Sequence, residues 1–152
     1  MPTRTLWVPL VLLLLAGCSM PQQSTAPGPA QLEGVTADAR FSNATTPQEL
    51  VRTLTAAGYA NVSTDDASRV WWVASPHTAE TATLNASGVT LRIAWEARQP
   101  PASAPYSSDV SAQQAQMQQD AQPEVQARLD AFEAATGWTH QGPLAWGPLG
   151  GS

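Results

Sequence analysis

The chain contains no lysine, and its one cysteine is Cys18. All seven basic residues are arginines, set against twelve carboxylates, and charged residues make up only 12% of the sequence. A weakly acidic chain without a basic stripe cannot neutralise a run of phosphates, which excludes nucleic acid as a partner. The same shortage excludes a polybasic patch for anionic lipid heads. A lone thiol forms no disulfide within the chain and supplies no cysteine cluster for a metal. Long apolar runs are scarce too. The stretch from Leu6 to Ala16 is 11 residues long, whereas a helix that crosses a bilayer needs roughly 20.

What surrounds that run gives it meaning. Arg4 precedes it, the small residues Ala16 and Gly17 close it, and the polar sequence SMPQQSTAPGPAQ follows Cys18. A basic start, a short apolar core and small residues at its end describe a secretory signal. The residues Leu15-Ala16-Gly17-Cys18 resemble the lipobox of bacterial lipoproteins, a resemblance confined to residues 1–18. It implies a signal peptide over residues 1–17, cut just before Cys18. It further implies a diacylglyceryl group on the Cys18 sulfur and a fatty acyl group such as palmitate on the new amino terminus. Cys18 is then an attachment point, and no thiol remains for catalysis or metal binding. Each buried methylene contributes about 0.8 kcal/mol, and two or more acyl chains give a stable anchor where one is marginal. Ser19 follows the cysteine in place of an aspartate. By the same resemblance this favours the outer membrane, in a cell that has one, with the domain outside the cytoplasm.

Cleavage there leaves 135 residues with six arginines and twelve carboxylates, a formal charge of −6. Residues 18–31 read as the lipidated cysteine and a flexible tether, with an end-to-end distance of about 20 Å. Residues 32–137 are enough for one small domain. Residues 138–152, with Gly-Pro-Leu repeated twice, read as an irregular tail.

Within the domain, VTADARF alternates as a first strand. TTPQELVRTLTAAG carries helix signals at both ends: Thr46 as N-cap, Pro47 at the first helical position, Glu49 to complete a capping box, and Gly58 beyond the last turn. Four strand segments follow, ANVST, RVWWVA, ETATL and VTLRIAWEA, separated by turn residues. A proline-rich loop leads into a helical region from about Asp109 to Thr136. Pro123 either kinks it or starts it afresh, and Val125, Leu129 and Phe132 mark its apolar stripe. Its six glutamines between Gln113 and Gln122 form either a solvated face or a partner surface. The expected fold class is α+β: a two-layer sandwich with a four- or five-stranded, mainly antiparallel sheet, two helices on one face, and the order (β)αββββα.

Candidate chemistry is thin. Neighbouring residues of a strand point to opposite faces, so Trp71 and Trp72 cannot both enter one core. The indole left outside is either covered by the tail, through Trp138, Leu144 and Trp146, or stays open as an aromatic platform. A bulge in the strand is the third option. The four tryptophans Trp71, Trp72, Trp138 and Trp146 are therefore the candidate partner surface, for an envelope protein or a glycan. His77 and Glu80 are three apart, but a metal site needs three or more converging ligands. Asp65 and Asp66 lack the alternating oxygens and glycine of a calcium loop. No nucleophile elbow or phosphate loop is present. The expectation is thus no catalytic residue, no metal and no cofactor. The reading is a membrane-anchored envelope lipoprotein with a non-catalytic binding or structural domain. The alternatives are an accessory subunit of an export or assembly complex, and an envelope hydrolase.

Overall fold

The computed structural model of the protein describes residues 32–97 and 109–149. The lipobox, with Cys18, the tether and most of the proline-rich loop lie outside those residues. The described elements are β1 (Gly34–Phe41), α1 (Pro47–Ala56), β2 (Ser63–Thr64), β3 (Arg69–Ser75), β4 (Thr78–Asn85), β5 (Gly88–Glu96), α2 (Val110–Thr136) and β6 (Gln141–Leu149). The strands form one sheet in the order β2-β3-β4-β5-β1-β6, with every pair antiparallel. Both helices cover one face, so the α+β sandwich expected from the sequence is the fold.

Alternation along each strand selects that face. Val35, Ala37, Ala39 and Phe41 of β1 stand beside Val89, Leu91, Ile93 and Trp95 of β5, and all are buried. Val70 and Trp72 of β3 and Ala82 of β4 extend the same layer. Leu50 and Leu54 of α1 and Met117, Ala121, Val125, Leu129 and Phe132 of α2 close it.

The local signals act as read. Thr46 accepts from the Glu49 N–H at 3.2 Å, and Glu49 reaches back to the Thr46 N–H at 3.3 Å. These bonds satisfy two donors that the first turn of α1 leaves without partners. Helix α2 ends on Gly137 in the left-handed region, φ 73°. Pro123 lies inside one continuous helix; the N–H it lacks would have bonded the Gln119 carbonyl, and both residues lie on the exposed face, where water can serve that carbonyl. Gly88 closes the β4–β5 hairpin at φ 135°, where an added Cβ would lie 2.0 Å from the Phe41 carbonyl oxygen.

Two expectations need correction. The sheet has six strands, not four or five, because the segment read as an irregular tail contains β6, hydrogen-bonded along β1. Pro143 and Pro148 fit there because an edge strand has a neighbour on one side only. Nor does this segment cover the outer face. Trp146 stands opposite Ala37 and so points to the helix side, where it and Leu144 pack on the core.

Candidate functional site

The seam between α2 and the sheet holds the polar chemistry of the domain. Glu80 alternates with Thr78 and Ala82 on the inner face of β4 and is fully buried. A carboxylate there needs a cation and donors. Arg128 of α2 supplies both in a two-pronged pair, Nε to Oε1 at 3.0 Å and Nη2 to Oε2 at 3.1 Å. The Trp72 Nε1–H donates to the same carboxylate. Bonding to Glu80 raises the Arg128 pKa above its ordinary value, against the opposing effect of burial.

One turn earlier on α2, Glu124 accepts from Thr78 Oγ1 at 2.6 Å, Ser75 Oγ at 3.2 Å and Trp95 Nε1 at 2.9 Å. The two acidic nodes thus tie α2 to β3, β4 and β5. Both carboxylates are hydrogen-bond acceptors in the seam, and each takes an indole N–H.

Beside the Glu80 node an open groove of about 310 Å³ runs between the end of α1, β3 and α2. Trp72 and Tyr59 form its aromatic part, small residues such as Ala57 and Ala131 its walls, and Arg128 its one charged member. The Tyr59 ring meets Trp72 edge-on at 5.4 Å between centroids, and the Arg128 guanidinium lies 5.7 Å from the Tyr59 ring centre. Among the described residues the buried Tyr59 hydroxyl has no hydrogen-bond partner. Burial, then the charge of Glu80, push the Tyr59 pKa up, so the hydroxyl stays a donor at neutral pH.

The four tryptophans do not form one surface. Trp72 is buried at 2% exposure and stacks on Phe132 at 6.0 Å. Trp138 packs against Phe132 and Phe41 on the helix side. Trp146 is half-buried on β6. Trp71 alone lies on the uncovered face, 40% exposed, with Val73 beyond it at 70%.

His77 and Glu80 are likewise separated by strand alternation. His77 stays in the β3–β4 turn while Glu80 turns inward. His140 accompanies Glu133, with 2.7 Å between Nδ1 and Oε1. Asp65 closes its own turn by accepting from the Ala67, Ser68 and Arg69 N–H groups. Among the described residues no three His, Cys, Asp or Glu side chains converge on a metal position. Among them, too, no helix is long and apolar enough to cross a membrane. Gln113 is buried and accepts from the Leu32 N–H at 3.2 Å, whereas Gln116, Gln119 and Gln122 of the same stretch are exposed.

Sequence reasoning missed the Glu80–Arg128 pair and Tyr59. A signal for the pair existed. Glu80 shares a strand face with Ala82, and Arg128 falls between Val125 and Leu129 on the α2 stripe. A carboxylate and a guanidinium on facing apolar surfaces call for each other.

Compared with known proteins, the chain matches no family, no curated sequence and no solved structure.

Proposed function

We propose that this protein is a lipid-anchored component of a bacterial cell envelope and that its α+β domain acts by binding. The observation that carries the reading is Leu15-Ala16-Gly17-Cys18 at the end of a short apolar run. That arrangement supplies a thiol for lipidation at the place where a signal peptide would be cut. Two features of the domain support a binding role. One face of the sheet carries no covering layer among the described residues, and the other is flanked by a groove of a size suited to a ligand. Its partner is an envelope protein or a glycan, met within reach of the tether. An accessory role in export or outer-membrane assembly is the protein-partner form of the same reading.

The test is metabolic labelling with palmitate in a bacterial host, followed by detergent phase partition. Wild-type protein should carry the label and enter the detergent phase. Cys18→Ala should carry none and accumulate as an uncleaved precursor. An unmodified cysteine in the mature protein, seen by mass spectrometry, rejects the anchor. Crosslinking in intact cells tests the binding half separately, since a partner can be captured whether or not the chain is acylated.

A further inference from the structure

We propose that the uncovered face of the sheet lies on the membrane that holds the anchor, with Trp71 and Val73 seated at the level of the lipid headgroups. The inference rests on the anchor in the reading above and adds the orientation of the domain. The helix layer and its groove then face away from the lipid.

The apolar pair is the first observation. Among the described residues three large apolar side chains are exposed, and two of them, Trp71 at 40% and Val73 at 70%, are neighbours on this face of β3. An indole, with an apolar body and a polar N–H, suits the headgroup level of a bilayer. The shape of the face is the second. Val73 stands opposite Ala79, Ala79 opposite Ala94, and Ala94 opposite Thr36, so nothing in that row rises above the valine. In the next row Arg92 is drawn onto Asp38 by two bonds of 2.8 Å. A face this low has no concavity to enclose a sugar or a folded peptide. A planar fluid surface needs none.

Charge sets which side meets the lipid. Helix α2 carries Asp120, Glu124, Asp130 and Glu133 against Arg128 alone. The sheet face sets Arg40, Arg69 and Arg92 against Asp38 and Glu96, and Arg69 is tied to Asp65 at 3.0 Å. An anionic bilayer therefore repels the helix layer and meets a nearly neutral surface on the sheet.

The entry of the chain commits that face to the membrane. Leu32 leads into Gly34 at one end of β1, and Val73 belongs to the row of Thr36, two residues further on. From Val73 to Thr36 the row crosses three strand spacings, about 14 Å. Residues 18–31, read as the tether, reach about 20 Å. The lipid surface is thus within reach of both apolar side chains. One indole and one valine hold a free domain only weakly. For a tethered domain the contact is intramolecular, at an effective concentration of about millimolar, so a weak contact suffices.

The test reconstitutes the acylated full-length chain in vesicles of phosphatidylethanolamine and phosphatidylglycerol, with and without an acyl chain brominated near the headgroup. Brominated lipid should quench part of the tryptophan fluorescence, and Trp71→Phe should remove most of that quenching. Val73→Asp puts a charge at an exposed position. It should abolish most of the quenching while the melting temperature stays within about 3 °C of wild type. Palmitate labelling and detergent partition report the anchor separately. An acylated, vesicle-bound chain that brominated lipid leaves unquenched overturns the orientation and spares the anchor, as does quenching that survives in Trp71→Phe. A chain that carries no label overturns both. A photocrosslinker at position 73 should label lipid in intact cells. Capture of a protein or a glycan there in place of lipid gives the face to that partner and overturns the proposal.

Discussion

Glu80 has no exposed surface, yet it sits in an apolar layer between Trp72 and α2. Such a group is tolerable only while Arg128 remains beside it. Removing one member of a buried pair strands the other charge, whereas replacing both with apolar residues is often neutral or favourable. Arg128→Met should therefore cost about 3–5 kcal/mol in urea denaturation, and Glu80→Met combined with Arg128→Met should recover most of that loss. A double variant as unstable as the single one would show that the pair is not the cause. The adjacent tryptophans give a second contrast at this scale. Trp72→Ala empties a site packed by Phe132 and Tyr59 and should cost about 3–5 kcal/mol. Trp71→Ala, on the open face, should cost under about 1 kcal/mol. Equal losses would mean that both indoles are structural.

At the scale of elements, β6 is held at two places. It hydrogen-bonds along β1, and its approach is fixed by Glu133, which accepts from the His140 N–H at 2.8 Å. That backbone bond, and then the His140 side chain, hold the Glu133 carboxyl below its ordinary pKa of 4.5. A depressed carboxylate pKa means that the unfolded chain takes up the proton first. The stabilisation is complete above 4.5 and is lost as pH falls through the lower, folded-state value. Asp65 shifts in the same direction, chiefly through the Ser68 N–H, so two turns loosen together in acid. Melting temperature should fall on acidification below pH 4.5, and Glu133→Gln should show a shallower fall. An identical acid slope in the variant would remove Glu133 from the account. Helix α2 is the other organising element: its carboxylate and guanidinium at positions 124 and 128 set its position against three strands at once.

For the whole molecule, the sandwich is one-sided. Helices fill one face, and the other carries cross-strand rows such as Trp71–Thr81–Arg92–Asp38. Arg92 meets Asp38 through two bonds of 2.8 Å, a surface pair that orders polar side chains more than it stabilises the fold. The chain enters at Leu32, at the end of the sheet where Gly34 stands opposite Glu96 and the Glu96 N–H donates to the His77 carbonyl. With Trp71 in the open, acrylamide should quench part of the tryptophan fluorescence of the intact protein, and Trp71→Phe should remove most of that accessible fraction. Persistence of the fraction in the variant would place the accessible indole elsewhere.

Local physics was legible without the fold. The capping box of α1, the Gly58 and Gly137 stops, the alternation of β1 and β5 and the stripe of α2 each depend on residues a few positions apart, so the sequence by itself determined them. With them it determined the fold class. Tertiary structure decided the rest, because the deciding contacts join residues far apart in the chain. Gly-Pro-Leu repeats look like loop until β1 offers a neighbour on one side only. Glu80 reads only as the polar first residue of the strand segment ETATL until Arg128, 48 positions later, is packed against it. Which of two adjacent tryptophans is buried depends on which face the helices cover. The groove beside Trp72 forms only where α1 and α2 approach the same strand.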